Sequence, residues 1–176
     1  MYGIRIHGRG GQGVKRAAKI IARAAYLAGY KTQDFAVYGA ERQGAPLRSF
    51  VRIDRKEIGL VGYIEEPDFI IVLDESLDPK ETLEGERKET IVLFNSEREK
   101  DRKKNHYSVD GTEIALEITG KAIANVAMLG AFTKLAPFIG MDEMKKAIRI
   151  ELGKLPKGIV EKNLRAAGAC YKEVGK

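Results

Sequence analysis

A glycine-rich stretch near the start of the chain, residues 8–13 (Gly-Arg-Gly-Gly-Gln-Gly), has the composition of an anion-binding turn. Gly8, Gly10 and Gly13 match the spacing G-x-G-x-x-G, which is typical of turns that bind phosphate between a strand and a helix. We expect Gly8 to allow a tight turn and Gly10 to let backbone approach a ligand oxygen. We expect Gly13 to let the helix pack close to the strand.

The elements on either side of this stretch fit a phosphate-binding unit. The extended run 2–7 precedes it, and a helical pattern begins at Val14. Backbone N–H groups at a helix start, together with the helix dipole, attract anions. Arg9 would add positive charge, and Gln12 would add hydrogen bonds. The alternative is a glycine turn that serves only the packing of strand against helix, and the spacing alone leaves both interpretations open.

A dinucleotide site would need an acidic residue that ends the second strand, about 20 residues after the glycines. Asp34 lies at about that distance, but the extended pattern continues through residues 35–38, so Asp34 does not end a strand. This argues against a dinucleotide site and leaves a simpler anion site possible.

The remaining pattern predicts an α/β fold. Residues 47–53 alternate as a strand, and we expect residues 57–61 to return as its hairpin partner. The apolar runs 69–73 and 91–94 do not alternate, which is typical of strands buried on both faces of a parallel sheet. We therefore predict one domain, residues 1–176, with a Rossmann-like three-layer sandwich whose sheet is mostly parallel with an added β-hairpin.

Several polar residues stand where this fold would bind a ligand. Asp74 and Asn95 follow predicted strands, and open α/β sheets bind ligands at that edge, although either residue could instead cap the next element. Asn125 is the odd polar residue in the apolar helical run 123–135, where it is either satisfied by backbone or directed toward a site. The loop 38–46 is long enough to cover a site, or it is an ordinary connection.

Composition restricts the class of protein. The 176 residues are 44% apolar and 32% charged, with a net charge of +6, which favours anionic partners. Basic residues are scattered and aromatic residues are not interleaved with them, so we expect no nucleic-acid binding. No apolar run reaches the length of a membrane span and the start lacks the layout of a signal peptide, so we expect no membrane association and a cytoplasmic location.

Catalytic and metal-binding patterns are not apparent in the sequence. Cys170 is the one cysteine, so it cannot form an internal disulfide or hold a zinc ion or an iron–sulfur cluster alone, and we expect a buried thiol. His7 and His106 are the only histidines, and we expect His7 to be a satisfied imidazole at a strand end. A nucleotide-type loop without an acid/base pair suggests a part of something larger.

The glycine stretch followed by an Ala-rich helix resembles the start of the gamma subunit of 2-oxoacid:ferredoxin oxidoreductases. The resemblance runs in order through nearly the whole chain. It continues at Tyr-Gly-Ala-Glu-Arg-Gln-Gly-Ala-Pro (38–46), Glu-Pro-Asp (66–68), Asn125, Met-Leu-Gly-Ala (128–131) and Glu-Lys-Asn (161–163).

The resemblance implies a function. Such complexes convert a 2-oxoacid, CoA and oxidised ferredoxin to acyl-CoA, CO2 and reduced ferredoxin, in anaerobic metabolism. Thiamine diphosphate in the alpha and beta subunits does the carbon chemistry, and iron–sulfur clusters in partner subunits carry electrons. The gamma subunit is implied to be structural and to handle CoA. It would bind no such cofactor alone and have no activity alone, and it would assemble with alpha, beta and a separate delta subunit and reach ferredoxin through the complex.

The resemblance also implies a set of CoA-binding residues, with no catalytic and no metal-binding residue in this chain. They are Gly8, Arg9, Gly10, Gly11, Gln12, Gly13, Glu41, Arg42, Gly44 and Asn125. The loop 41–46 is most similar to pyruvate-type members, so we expect pyruvate as the oxoacid, with 2-oxoglutarate and branched-chain 2-oxoacids as alternatives. A protein of another class, a free-standing nucleotide-binding module, would instead bind a dinucleotide by itself.

Overall fold

The structure, a computed structural model, describes residues 1–37, 44–97 and 104–175. Within these ranges the chain forms one six-stranded sheet and a set of helices. In chain order the elements are β1 (Tyr2–Arg9), α1 (Val14–Leu27), β2 (Lys31–Ala36), β3 (Pro46–Asp54), β4 (Phe69–Val72), α2 (Pro79–Thr82), β5 (Ile91–Asn95), β6 (His106–Val109), α3 (Gly111–Thr119), α4 (Asn125–Leu135), α5 (Met141–Glu151) and α6 (Lys157–Glu173).

The sheet has the strand order β2-β3-β1-β4-β5-β6. β1, β4, β5 and β6 run parallel to one another, whereas β3 pairs antiparallel with both β1 and β2. Every residue of β4 is buried, which explains its continuous apolar sequence. The predicted α/β class, with a mostly parallel sheet and an antiparallel hairpin, is confirmed.

The partner predicted for the hairpin is wrong. Residues 57–61 are irregular, and β3 forms its hairpin with the preceding strand, β2. β3 already pairs along its whole length with β1 on one side, from Tyr2↔Ile53 to Arg9↔Pro46, and with β2 on the other. No edge of β3 is left for residues 57–61, so that segment cannot pair with it.

The main hydrophobic core lies between one face of the sheet and helices α1, α3, α4, α5 and α6. Alternate residues of the strands, such as Ile4 and Ile6 of β1, point into it. The opposite face has a smaller cluster, in which Leu83 packs against Ile70, Val72, Val92 and Phe94. Among the residues that the structure describes, the second outer layer therefore consists of a single turn of helix, α2, with the loops on either side of it.

Arg5 and His7 are buried on that opposite face. The Arg5 guanidinium donates to the carbonyl groups of Ile64, Glu65, Thr82 and Glu84, and thereby ties the α2 region to the sheet. Its Nε donates to His7 Nε2 at 2.9 Å. Burial, and then the positive charges of Arg5 and Arg48, lower the pKa of His7 to about 3. His7 is thus a neutral hydrogen-bond acceptor at a strand end, as the sequence predicted.

Candidate functional site

The glycine stretch forms the turn between β1 and α1. Gly11 and Gly13 have φ angles of 94° and 77°, a left-handed conformation that side chains other than glycine rarely adopt. The Gln12 N–H donates to Arg9 O at 3.0 Å and closes the turn. The first helical hydrogen bond runs from the Ala17 N–H to Gly13 O, so the N–H groups that precede it have no acceptor inside α1.

Gly10 belongs to the sheet rather than to the open side of the turn. Its N–H donates to Ala45 O at 2.9 Å, and its carbonyl accepts from the Gly44 N–H at 3.2 Å. These bonds extend the β1–β3 ladder past the Arg9↔Pro46 pair. The Gly10 N–H is therefore engaged in the ladder and does not face the open side of the turn. The N–H groups of Gly11 and Gly13 have no acceptor among the described residues.

Gly8 and Gly13 perform different tasks from those expected. Gly8 lies inside β1, and a Cβ there would stand 2.6 Å from Cγ2 of Val14. Gly8, not Gly13, therefore lets the helix approach the strand. A Cβ at Gly13 would overlap the side-chain amide of Asn125 and stand 2.9 Å from its Cγ. Gly13 leaves the space that Asn125 fills.

Asn125 joins the glycine turn from 112 residues further along the chain. It is the first residue of α4, is 5% exposed, and donates from Nδ2 to Gly13 O at 3.2 Å. The structure therefore brings this predicted site residue to the loop, and the N-terminus of α4 lies beside that of α1.

Arg9 and Gln12 turn back onto the end of β4 rather than outward. Gln12 accepts from the Arg9 N–H at 2.7 Å and donates from Nε2 to Asp74 Oδ2 at 2.7 Å. The Arg9 guanidinium donates to Asp74 Oδ2 at 3.1 Å, to Ser76 Oγ at 2.9 Å and to Gly44 O at 3.2 Å. The predicted residues Arg9, Gln12 and Gly44 therefore lie together.

Asp74 is the common acceptor of this arrangement. Its Oδ1 accepts from both the N–H and the O–H of Ser76, at 3.0 and 2.6 Å. Burial by itself would raise the pKa of Asp74, but the hydrogen bonds from Ser76 and Gln12 and the charge of Arg9 lower it below its ordinary value. Asp74 is therefore ionised near neutral pH.

Sequence reasoning placed Asp74 at the ligand-binding edge but did not connect it to the loop, and it missed Ser76. The signal was available, since Asp-x-Ser directly follows the buried strand that pairs in parallel with β1. Asn95, the other strand-end residue, accepts from the Thr112 N–H and so caps α3. The predicted residues Glu41 and Arg42 lie outside the described residues.

The geometry fits an anion-binding turn better than a dinucleotide site. Asp34 lies in β2, which is separated from β1 by β3, so it cannot meet a ribose bound at the β1 turn. Among the described residues, no three His, Cys, Asp or Glu side chains are grouped to hold a metal ion. Burial, with Asp110 and Glu173 nearby, raises the pKa of the Cys170 thiol to about 12, which does not suit a cluster ligand. No described helix combines the length and apolar composition needed to cross a bilayer.

Known proteins resemble this chain over almost its full length. The family model described as pyruvate ferredoxin/flavodoxin oxidoreductase matches residues 3–173. The pyruvate synthase subunit PorC of Methanocaldococcus jannaschii is 41% identical, over 99% of this chain and 97% of its own. The pyruvate/ketoisovalerate oxidoreductases common subunit gamma of Pyrococcus furiosus is also 41% identical, over 98% and 97%.

A solved structure agrees with these matches. The crystal structure of pyruvate oxidoreductase subunit PORC from Thermotoga maritima superposes with a TM-score of 0.85 at 37% identity, over 98% of this chain and 96% of that one. The likeness thus extends from the sequence to the arrangement of the whole sheet and its helices. The chain belongs to the pyruvate ferredoxin/flavodoxin oxidoreductase family, as its resemblance to gamma subunits predicted.

Proposed function

We propose that this chain is the gamma subunit of a pyruvate:ferredoxin oxidoreductase, which converts pyruvate, CoA and oxidised ferredoxin to acetyl-CoA, CO2 and reduced ferredoxin. The observation that carries the proposal is the 41% identity, over nearly the full length of both chains, to a protein named as a pyruvate synthase subunit. Because that match covers 97% of the relative, it concerns the whole subunit rather than a shared segment.

Within the complex, the chain would handle CoA rather than carry out the carbon chemistry. CoA has a pyrophosphate and a ribose phosphate, and the N–H groups of Gly11, Gly13 and the first turn of α1 suit a phosphate oxygen. The titratable groups beside the loop are not placed for acid/base catalysis, because Asp74 is paired with Arg9 and His7 is buried and neutral. Thiamine diphosphate and the iron–sulfur clusters would belong to partner subunits.

The proposed role implies partner subunits and a location for the chain. The chain would assemble with alpha, beta and delta subunits in the cytoplasm of an anaerobic cell, and would meet ferredoxin through the complex. A branched-chain 2-oxoacid complex is the second candidate, because the Pyrococcus furiosus relative is named as a common gamma subunit of the pyruvate and ketoisovalerate enzymes. One gamma chain would then serve two complexes.

Purification of the tagged chain from its own cells, without oxygen, tests the proposal. We expect larger subunits to co-purify and the preparation to reduce methyl viologen only when both pyruvate and CoA are present. Activity with 2-ketoisovalerate or 2-oxoglutarate but not with pyruvate would keep the family and contradict the choice of substrate. A chain that purifies alone and binds a dinucleotide would favour the free-standing binding module instead.

A further inference from the structure

We propose that Asp74 is the positioning residue of the glycine loop, and that Arg9 and Gln12 hold the loop in shape instead of binding the ligand. This inference rests on the proposed function, in which the loop binds a phosphate group of CoA. It concerns a residue that touches no ligand itself and acts through the two loop residues that it holds.

Both oxygens of the Asp74 carboxylate accept hydrogen bonds. Oδ1 accepts from the N–H and O–H of Ser76, and Oδ2 accepts from Gln12 and Arg9. An ionised carboxylate has about four lone-pair positions, so little capacity is left for any further partner. The carboxylate is also only 16% exposed, and its orientation at the end of β4 is therefore fixed.

The hydrogen bonds among Arg9, Gln12 and Asp74 form a closed ring around the turn. Gln12 reaches from Asp74 back to the Arg9 N–H, and Arg9 reaches from Asp74 to Ser76 and to Gly44 O. The ring joins the end of β1, the turn, the end of β4 and the start of β3. Gly11 is not a member of it, and its N–H is left without a described acceptor.

Asp74 and Arg9 carry opposite charges beside the loop. A carboxylate near a phosphate site would repel the ligand unless a cation neutralised it, and Arg9 neutralises Asp74 at 3.1 Å. The direction in which CoA affinity changes when the Asp74 charge is removed therefore distinguishes two roles for Arg9. If Arg9 were the cation that binds phosphate, removal of the Asp74 charge would release Arg9 to the ligand and tighten CoA binding. If Asp74 positions the loop, the same change must weaken CoA binding.

The test is Asp74→Asn in the assembled oxidoreductase. An asparagine keeps one oxygen for Ser76 but turns an NH2 group toward the donors of Gln12 and Arg9. We expect the KM for CoA, and the CoA dissociation constant measured by calorimetry without pyruvate, to rise about tenfold, with kcat at saturating CoA changed less than about twofold.

Asp78→Asn is the matched control. Asp78 accepts from the N–H two residues ahead, that of Lys80, just as Asp74 accepts from Ser76, but it caps α2 and does not contact the loop. CoA binding should be unchanged in this variant. We also compare the double variant, Arg9→Gln with Asp74→Asn, with each of its single variants. Its CoA dissociation constant should lie within about twofold of that of whichever single variant binds CoA more weakly, because residues in contact act as a unit.

The outcomes separate this inference from the proposed function. Tighter or unchanged CoA binding in Asp74→Asn, with weaker binding in Gly11→Leu, would overturn the positioning role and leave the CoA role intact. Unchanged binding in both variants would overturn both. If Asp74→Asn does not assemble, Ser76→Ala removes only the hydroxyl that bridges Asp74 and Arg9. A rise of about threefold in the CoA dissociation constant would support the inference, and no change would overturn it.

Discussion

Gly11 and Gly29 stand at opposite ends of α1 and have similar positive φ angles, 94° and 89°. At both positions a Cβ would meet open space. A side chain should therefore strain the two backbones by a similar amount, about 1–2 kcal/mol each. They differ in place, since Gly11 lies on the open side of the proposed phosphate site, whereas Gly29 only ends the helix.

We predict that Gly11→Leu in the assembled complex raises the KM for CoA at least about tenfold, because the side chain would occupy the approach to the loop N–H groups. Gly29→Leu should lower the melting temperature to a similar extent and leave the KM for CoA unchanged. Steady-state kinetics with viologen, together with thermal melting, measure both effects. Equal KM values in the two variants would argue against CoA binding at this loop.

The sequence predicted that Asn125 and Gly44 lie with the glycine stretch, but it predicted neither that Asp74 joins them nor what each glycine does. The G-x-G-x-x-G spacing correctly placed a turn between strand and helix, and Asn125 does reach it. The tasks of Gly8 and Gly13 could not be assigned, because they depend on what stands opposite each missing Cβ: Val14 for one and Asn125 for the other. The engagement of Gly10 with Ala45 likewise required the register of β1 against β3.

Helices α4 and α6 approach each other closely at Gly130, which faces the backbone of α6. A Cβ at Gly130 would overlap the backbone carbonyl of Ala167 and stand 2.9 Å from its Cα. Backbone on both sides leaves no flexible side chain to give way. Gly168, one residue further along α6, offers a comparison, since a Cβ there would meet nothing within 4 Å.

We predict that Gly130→Ala lowers the free energy of unfolding by about 1–3 kcal/mol, because the two helices must separate. Gly168→Ala should raise it by up to about 1 kcal/mol, since alanine favours the helix. Urea unfolding of the purified chain, followed by circular dichroism, measures both. If the two variants had the same stability, the close approach of α4 and α6 would be refuted.

Prediction from sequence succeeded for elements whose signal is local. The helical spacing from Val14 onward and the unbroken apolar run of β4 each reflect burial along a single element. It failed for residues 57–61, which were predicted to be the hairpin partner of β3 and are irregular. Whether that segment joins the sheet depends on the two edges of β3. Both edges are taken by β1 and β2, and a local pattern cannot reveal this pairing.

For the molecule as a whole, the buried His7 makes stability depend on pH. In the folded chain its pKa is lowered from 6.5 to about 3, so between these values the unfolded chain binds a proton that the folded chain does not. The contribution of neutral His7 to the free energy of unfolding is therefore fully present above about pH 6.5 and is lost as the pH is lowered. The slope is about 1.4 kcal/mol per pH unit, or about 2 kcal/mol lost by pH 5.

We predict that His7→Gln flattens this dependence, because an amide oxygen can still accept from Arg5 Nε but does not titrate. The free energy of unfolding of the two proteins, measured in urea from pH 7.5 to 5, should converge or cross as the pH falls. Protonation of Asp74 also lowers stability as the pH falls, but only below the ordinary pKa of an aspartate. It therefore does not affect the comparison between pH 7.5 and 5. Parallel curves for the two proteins would contradict a neutral, buried His7.

The contact between Gly13 and Asn125 has a consequence for how this protein can evolve. Position 13 cannot accept a larger residue, because its backbone is left-handed and the Asn125 amide occupies the space. Position 125 can shrink without a clash. A lineage that replaces both residues must therefore lose the asparagine first. Intermediates with a small residue at position 125 beside Gly13 are permitted, whereas intermediates with a side chain at position 13 beside Asn125 are not. Two positions 112 residues apart thus share one mutational history with a fixed order of steps.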